Sequence, residues 1–500
     1  EIYRCDWSSD VCSSDLAGVV KVVELPSSPP PAEFNPLGGV AVIARNTWAA
    51  IQGRKALKIQ WQSGSNADYD SGQFKTELET AARQTGKVVR QQGDVNAALQ
   101  AASQQHSAEY YLPHLAQAPM EPPAATAEIK QGHCQIWTCT QAPQATRERI
   151  AKWLKLPLEQ VTVNVTLLGG GFGRKSKPDY VIEAALLSQA MQGKAVKVTW
   201  TREDDLQHSY FHTVSLERLE AGLDTDGKVT AWLHRTVAPS IASTFGPDSK
   251  QQMQEELGMG VINIPFEIAN LQIENPAAAA HTRIGWFRSV SNIPHAFAIQ
   301  SFIAELATKA NRDHREFLLD LIGAARQIDP RSLGDTWNHG ESPALYPVDT
   351  GRLRGVIETV TREAGWGKTL AKGRGLGLAA HYSFVTYVAM VVEVLVDDDG
   401  KLSIPRVDIA IDCGPQINPE RIRSQMEGAC IMGLSLATLS EISFKAGVAE
   451  QDNFHSYQLM RIDDAPQQIK VHLVANSEFE TPLGGVGEPA VPPIAPALCN

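Results

Sequence analysis

The sequence is 500 residues long, which is more than one ordinary domain holds and predicts about two to four domains. A hydrophobic fraction of 43% allows large cores, and a formal net charge of -11 without a basic tail argues against a nucleic-acid partner. No run of about 18 apolar residues occurs, so no transmembrane segment is predicted in this chain.

Both ends of the sequence look incomplete. Residues 4–16, RCDWSSDVCSSDL, resemble a translated sequencing adapter, so residues 1–16 are not expected to belong to the fold. Credible sequence begins near Ala17 in the middle of a domain, and the final PPIAPALCN stops where a helix is predicted to start. We therefore expect the chain to be a fragment at both ends.

The seven cysteines are scattered, and none forms a Cys-x-x-Cys pair. This spacing favours buried or free thiols over a zinc or iron–sulfur site made by this chain alone.

Residues 17–107 predict a small α/β unit followed by a polar segment. The β-branched runs AGVVKVVEL and GGVAVIA predict two strands, and NTWAAIQGRKAL predicts a helix capped by Asn46. KIQWQ, residues 58–62, predicts a further strand. Residues 64–107 are rich in Gln, Ser, Asp and Ala, which predicts a surface segment or an arm that faces a partner.

The next region alternates strands and helices around a glycine-rich loop. ATAEIKQGHCQIWTCTQAPQ predicts strands that end at a turn, and PQATRERIAKWLKL predicts an amphipathic helix. VTVNVTLL predicts a strand that runs into LLGGGFGRKSKPDY, residues 167–180. DYVIEAALLSQAMQG predicts the helix that follows, with Gly193 as its C-terminal stop. The glycine loop therefore joins a strand to a helix N-terminus.

The remaining sequence continues the mixed pattern and indicates the α+β class. Two strands are predicted to meet at the Asp226-Gly227 turn, and two helices are predicted between 295 and 322. Asp313 and Glu316 have the spacing of a capping box at the second helix. Further along, TGRLRGVIETVTREAG and NPERIRSQMEGACIMGLSLATLSE predict helices, and YVAMVVEVLVDDDGKLSIPRVDIAID predicts a strand pair.

The glycine loop does not match the common phosphate-binding motifs. In a Walker loop lysine follows glycine directly, but Arg174 intervenes here, and the Gly-x-Gly-x-x-Gly dinucleotide fingerprint is also absent. Two interpretations remain open. The loop could be a tight strand-to-helix turn with Phe172 in the core, or its backbone N–H groups could approach an anion or an oxo group while Phe172 stands against a flat ligand.

Four other stretches occur with this loop in a characteristic order. They are TCTQAP with Gln141, IGWFRSVSN with Arg288, SQMEGA with Gln425, and PLGGVGEPAVPPIAPAL with Glu488. Together they resemble the large, molybdopterin-binding subunit of the xanthine dehydrogenase/aldehyde oxidase family. More narrowly, the sequence is similar to the isoquinoline 1-oxidoreductase β-subunit type and to the related bacterial aldehyde dehydrogenase large subunit. The resemblance runs from about Ala17 to Asn500.

The resemblance implies a fold and a division of the chain. It implies the molybdopterin-binding domains of the molybdenum hydroxylase (xanthine oxidase) fold, together with a small hammerhead-like α/β domain. After the adapter at 1–16, the hammerhead-like domain and polar segment would occupy 17–107. The first molybdopterin-binding domain would occupy 108–345, and a truncated second one would occupy 346–500.

The resemblance also implies a role for each motif residue. Gln141 would hydrogen-bond a molybdenum oxo ligand, Gln425 would contact the pterin, and Glu488 would be the catalytic carboxylate. The residues implied beside the metal are Gly171, Phe172, Gly173 and Arg288. No protein ligand to the metal is implied, because the dithiolene sulfurs of the pterin hold molybdenum.

Cofactor, partners and location follow from the same resemblance. It implies molybdopterin in its cytosine dinucleotide form, a small [2Fe–2S] partner subunit, a cytochrome c electron acceptor and a periplasmic location, otherwise a cytoplasmic one. The family also has a Gly-Gln-Gly loop that grips the pterin phosphate, which is expected upstream of residue 17. A non-catalytic binding or assembly subunit of the same fold is the alternative.

Two positions differ from related branches of the family. Gln117 precedes APMEP where the family often has a histidine, and the stretch itself is more simply a structural turn. In the purine-oxidising branch a glutamate lies four positions after the loop phenylalanine, and that position is Ser176 here. We therefore expect aromatic aldehydes or N-heterocycles such as isoquinoline, rather than xanthine, as substrates.

Overall fold

The computed structural model describes residues 16–474 and 481–500, and Cys5 and Cys12 lie outside these ranges. The helices are α1 Thr47–Ala56, α2 Ser71–Ala82, α3 Val95–Ala101, α4 Pro143–Leu154, α5 Asp179–Ala190, α6 Arg202–Gln207, α7 Gln254–Leu257, α8 Asn292–Lys309, α9 His314–Ile322, α10 Thr350–Ala364, α11 Pro419–Thr438 and α12 Ile494–Cys499. The first strands are β1 Val19–Leu25, β2 Gly39–Ala44, β3 Lys87–Gln92, β4 Gln104–Leu112, β5 Ala124–Lys130, β6 His133–Thr138, β7 Val161–Val165, β8 Val196–Thr199, β9 Ser215–Leu223 and β10 Val229–Val237. The others are β11 Asn270–Asn275, β12 Gln327–Ile328, β13 Val348–Asp349, β14 Arg374–Ser383, β15 Thr386–Val396, β16 Leu402–Asp412, β17 Phe444–Lys445, β18 Val448–Ala449 and β19 Ile469–Leu473.

The N-terminal unit forms largely as its sequence predicts. β1 and β2 pair antiparallel, and the Asn46 side chain accepts a hydrogen bond from the Ala49 N–H (2.9 Å) to cap α1. The strand predicted at 58–62 is wrong, because those residues have no regular secondary structure. Trp61 is exposed there, and strand backbone needs a neighbouring strand to satisfy its hydrogen bonds.

The polar segment, predicted as a surface segment or a partner-facing arm, contains regular secondary structure. Residues 64–107 contain α2, β3, α3 and the start of β4. Asp70 caps α2 by accepting from the Gly72 and Gln73 N–H groups, and Phe74 and Leu78 are buried on one face of that helix. The few apolar residues of this segment therefore fall at helical spacing, where they anchor it to the protein.

The largest sheet combines strands from distant parts of the chain. Its order is β3-β11-β10-β9-β4, with β10 and β11 parallel and the other pairs antiparallel. Trp232 on β10 packs edge-to-face against Phe302 of α8 in the core that this sheet shares with α8 and α9. Strands on both sides of residue 107 enter this sheet, and the domain divisions at 107/108 and 345/346 stay predictions.

A second sheet carries the glycine loop. Its order is β7-β6-β5-β8, and α4 and α5 pack on its core face. α5 buries residues on nearly every side, which explains why its sequence is apolar over most of its length. Because β7 ends at Val165 and α5 begins at Asp179, the loop connects the edge strand of this sheet to a helix in its core.

The third sheet, β14-β15-β16-β19, is buried on both faces. On β15, Val388, Met390 and Val392 pack with residues of α11 and α12, while Tyr387 and Ala389 pack with residues of α10. Side chains alternate between faces along a strand, so a strand covered on both faces is continuously apolar. Two short pairs, β12–β13 and β17–β18, complete the described strands.

The α+β class is confirmed by this arrangement of sheets and helices. The described cysteines are free thiols, and Cys134, Cys139, Cys413 and Cys430 are buried. Within residues 16–474 and 481–500, no helix is both long enough and apolar enough to cross a membrane.

A pair of glycine substitutions tests the packing of the third sheet. A Cβ on Gly433 of α11 would lie 1.9 Å from Cγ2 of Ile494 on α12, whereas a Cβ on Gly355 of α10 would meet nothing within 4 Å. Overpacking typically costs about 1–3 kcal/mol, so Gly433→Ala should lower the thermal unfolding midpoint of the full chain. Gly355→Ala should raise it, because alanine is the better helix former by about 1 kcal/mol. Equal midpoints for the two variants would contradict the packing described here.

Candidate active site

The glycine loop adopts a backbone that ordinary residues avoid. Gly170 (φ +87°), Phe172 (φ +52°) and Gly173 (φ +98°) lie in the left-handed region. Left-handed backbone is uncommon for a residue with a bulky side chain. Phe172 is 36% exposed, so the interpretation that placed it in the core is wrong. Its backbone is held by neighbours while the side chain reaches solvent.

Close contacts on two sides explain the loop glycines. A Cβ on Gly171 would lie 2.4 Å from Oε1 of Gln141, and a Cβ on Gly173 would lie 2.3 Å from the carbonyl oxygen of Trp286. Oε1 of Gln141 accepts a hydrogen bond from the Gly173 N–H (3.1 Å), and the Gln141 N–H donates to the Lys175 carbonyl (2.9 Å). The loop is thus held between the end of β6 and the segment that precedes Arg288.

Arg288 joins the loop to two later parts of the chain. Its backbone N–H donates to the Phe172 carbonyl (3.0 Å), and its Nε donates to the Gly487 carbonyl (2.7 Å). Its Nη2 donates to Oε1 of Gln425 (3.1 Å). The side chain is buried, and a buried guanidinium needs several hydrogen bonds to offset its loss of hydration.

Local structure brings Gln425 and Glu488 to this guanidinium. Asn418 caps α11 by accepting from the Arg421 N–H (3.1 Å), and Gln425 lies exposed in the second turn of that helix. Before Glu488, the Gly485 N–H donates to the Phe384 carbonyl (2.9 Å) at the turn between β14 and β15. Helix α11 and the loop after Gly485 therefore place Gln425 and Glu488, respectively, next to Arg288.

Glu488 is a half-buried carboxyl beside a buried cation. Burial raises its pKa above the ordinary value, and the Ser289 backbone N–H and the Arg288 charge oppose that shift. The Ser289 hydroxyl donates to the Glu488 carbonyl (2.7 Å). A carboxyl with a raised pKa in such a place is suited to accept a proton.

The structure brings all the predicted site residues into one connected group. Hydrogen bonds link Gln141 to Gly173, Phe172 to Arg288, and Arg288 to Gln425 and to the residue before Glu488. The roles assigned to these residues remain predictions, but their convergence from five separate stretches is a property of the fold.

Sequence reasoning missed two residues beneath the site. Lys177 is fully buried, and its Nζ donates to the Trp286 carbonyl (2.8 Å) and to the Gly173 carbonyl. Burial lowers its pKa well below the ordinary value, with the Arg174 charge adding to the effect. Ser289 was missed as well, although it lies within the quoted IGWFRSVSN. A sequence gives no signal for which carbonyl a buried lysine or serine will reach.

Gln117 and Arg174 complete the support under the loop. Nε2 of Gln117 donates to the carbonyls of Tyr210 (2.7 Å) and Trp286 (2.9 Å). The Arg174 guanidinium is fully buried and forms two hydrogen bonds of 2.9 Å with the Asp179 carboxylate. These contacts anchor both flanks of the glycine loop to the protein interior.

The residues present fit a bulky cofactor that brings its own metal ligands. Cβ atoms added at Gly428 and Gly487 would meet nothing within 4 Å, so both positions border open space next to Gln425 and Glu488. The side chains of the site are the amides of Gln141 and Gln425, the Arg288 guanidinium and the Glu488 carboxyl, and amides recognise oxo and pterin-like polar atoms. Gln141 and Gln425 are exposed toward solvent, as side chains that contact a ligand must be.

Comparison with known proteins agrees with this chemistry. Two families, each described as a molybdopterin cofactor-binding domain, match residues 79–319 and 358–466. The β chain of isoquinoline 1-oxidoreductase from Brevundimonas diminuta is 28% identical over 98% of this chain and 60% of its own length. The membrane-bound aldehyde dehydrogenase [pyrroloquinoline-quinone] of Gluconacetobacter polyoxogenes is 29% identical over 93% of this chain and 60% of its own length.

Other matches extend the comparison. A nicotinate dehydrogenase subunit from Pseudomonas putida is 28% identical over 92% of this chain and 38% of its own length. The chain thus spans about 60% or less of these curated relatives. Quinoline 2-oxidoreductase from Pseudomonas putida 86 has the same fold, with a TM-score of 0.76 at 13% identity over 97% of this chain and 88% of that one. The fold, the two matched domains and the connected site agree: this chain belongs to the molybdopterin-binding proteins of the xanthine oxidase family.

Proposed function

We propose that this chain belongs to a molybdenum hydroxylase that oxidises aromatic aldehydes or N-heterocycles with oxygen from water. The observation that supports it best is the hydrogen-bonded convergence of Gln141, the glycine loop, Arg288, Gln425 and Glu488. A bound molybdopterin would supply the two-electron oxidation of an electron-poor carbon.

The chain's own residues would orient the reactants and move a proton. Because Oε1 of Gln141 is engaged by the Gly173 N–H, its Nε2 would be the group that donates to an oxo ligand. Gln425, held by Arg288, would contact the pterin. The guanidinium of Arg288 would stabilise negative charge that develops on the substrate.

Glu488 would act as the general base. Its carboxylate would accept the proton from the oxygen that attacks the substrate carbon, a contribution of roughly 10²–10⁴-fold in rate. The raised pKa supports this role, because a carboxylate accepts a proton more readily when its pKa lies closer to neutral pH. Pro489 stiffens the backbone directly after it.

The substrate class rests on Ser176 and Phe172. The Ser176 hydroxyl donates to the Gly173 carbonyl (2.7 Å), so this position offers neither a carboxylate nor a free hydroxyl to a purine ring. The exposed Phe172 ring would face a flat substrate. Relatives named for isoquinoline and nicotinate are consistent with N-heterocycles.

Further parts of the proposal concern the assembly. We propose the cytosine dinucleotide form of molybdopterin, a small [2Fe–2S] subunit that takes electrons one at a time, and a cytochrome c acceptor beyond it. Two relatives are named as subunits, which supports a multi-subunit enzyme. We also propose a periplasmic location. That proposal rests on the family resemblance alone.

Replacing the proposed base should slow the chemical step without loss of the bound cofactor. In the full-length protein with its partner, Glu488→Gln should lower the rate of reduction by substrate by roughly 10²–10⁴-fold. Molybdenum content and substrate KM should barely change, because the proton moves only in the transition state. In the wild type the rate should fall as the pH drops through the Glu488 pKa, which burial raises above its ordinary value, and this limb should vanish in the variant.

Glu358→Gln is the matched control, since Glu358 is an exposed residue of α10 outside the site. This control variant should be reduced by substrate at the wild-type rate. Near wild-type reduction of Glu488→Gln at full molybdenum loading would move the base elsewhere. A wild-type complex that holds molybdenum yet oxidises no substrate would favour the non-catalytic alternative.

Substrate preference tests the role of the loop separately. With no carboxylate at Ser176 to bind ring nitrogens, turnover of xanthine should be far below that of benzaldehyde or isoquinoline. Steady-state kcat/KM with the three compounds measures this directly. Comparable values for xanthine would refute the proposed substrate class.

A further inference from the structure

The turn between Arg288 and α8 has an unusual backbone. Ser289 (φ +79°) and Val290 (φ +45°) both lie in the left-handed region. A β-branched residue is a genuine outlier there, and such strained backbone persists only when surrounding contacts determine it. Strain of this kind is concentrated at functional sites, which points to a role for this turn in the site beside it.

Contacts on both sides keep the turn in this conformation. The N–H and the Nδ2 of Asn292 both donate to the Ser289 carbonyl at 3.0 Å. The Val290 N–H donates to the Phe287 carbonyl (2.7 Å), and Nε2 of the buried His212 donates to the Val290 carbonyl (2.9 Å). The Ser289 and Val290 carbonyls and the Val290 N–H are therefore committed to fixed partners in the adjoining segment and at His212.

This conformation places the Ser289 hydroxyl on Glu488. The hydroxyl donates to the Glu488 carbonyl (2.7 Å). The Ser289 backbone also opposes the rise in the Glu488 pKa that burial causes. Next to it, Nε of Arg288 holds the Gly487 carbonyl (2.7 Å). Two consecutive side chains thus hold two consecutive carbonyl groups of the loop that carries the proposed base.

We infer that Ser289 is a positioning residue that fixes the Glu488 backbone and thereby directs its carboxylate toward the substrate. This inference rests on the proposed function of Glu488. Glycine would adopt the left-handed backbone at no steric cost, but it has no hydroxyl to hold the Glu488 carbonyl. A serine kept in a strained conformation and fully buried is explained by that hydroxyl.

The test uses the full-length protein with its partner and three serine variants. Ser289→Ala removes the hydroxyl and keeps the strain, while Ser289→Gly removes both. Ser291→Ala is the matched control, because the Ser291 hydroxyl is buried in the same turn and has no hydrogen-bond partner within the described residues. Molybdenum content, the rate of reduction by substrate and its pH profile are measured for each.

Both Ser289 variants should be reduced by substrate roughly 10- to 100-fold more slowly than the wild type, with unchanged KM. This is the range expected when a catalytic group is misplaced by up to about 1 Å. Because a displaced carboxyl lies less well against the Arg288 charge and the Ser289 backbone, which both lower its pKa, the Glu488 pKa should rise and the acid limb should move to higher pH. Among the described residues, Arg288 is the charged group that shifts the pKa of this carboxyl, and it is unchanged in all variants. Ser291→Ala should match the wild type.

Several outcomes would overturn the inference. Wild-type rates and pH profiles in both Ser289 variants at full molybdenum loading would do so. Loss of molybdenum in both would assign Ser289 to cofactor retention instead. Including Glu488→Gln in the same series separates the proposed role of Ser289 from the proposed role of Glu488. If Glu488→Gln is reduced slowly while the Ser289 variants are reduced at the wild-type rate, only the proposed role of Ser289 is contradicted. If Glu488→Gln is also reduced at the wild-type rate, the assignment of Glu488 as the base is contradicted.

Discussion

The site depends on one buried cation. Arg288 connects the glycine loop through its backbone, the Glu488 loop through Nε, and α11 through Nη2. A buried guanidinium left without acceptors costs several kcal/mol or more, so the surrounding segments are tied to it and hence to one another. Parts of the chain that are more than a hundred residues apart are positioned by this single residue.

Steric limits act together with this electrostatic constraint. The glycine loop can enter the narrow space between Gln141 and Trp286 only because Gly171 and Gly173 carry no Cβ. Beneath it, Lys177 holds the Gly173 carbonyl of the loop and the Trp286 carbonyl on one side of this space. The loop backbone is therefore rigid while the Phe172 side chain stays accessible, which is the combination that a preorganised binding site needs.

Much of the fold could be predicted from periodicity and turn chemistry. Helices α5, α10 and α11 and the β15–β16 pair follow their apolar patterns, and α10 and α11 begin at Asp and Asn caps. The strand at 58–62 failed because alternation does not supply a partner strand. In 64–107 a polar composition concealed α2, whose buried face needs only a few apolar residues.

The site was accessible from sequence only in part. Excluding phosphate loops required nothing but spacing, whereas assembling Gln141, Arg288, Gln425 and Glu488 into one site required a family resemblance. The exposure of Phe172 and the contacts of Ser289 depend on positive φ values and on tertiary hydrogen bonds. These arise from the folded backbone and leave no pattern in a single sequence.

The central claim is that this connected group of residues holds a molybdenum cofactor. Metal analysis of the full-length protein, purified with its partner, tests it most directly when combined with Arg288→Met. We expect molybdenum and a releasable pterin in the wild type, and a marked loss of both in the variant, in which Gly487 and Gln425 lose their shared partner. A correctly folded wild-type complex without molybdenum, or a variant that retains it in full, would contradict this claim.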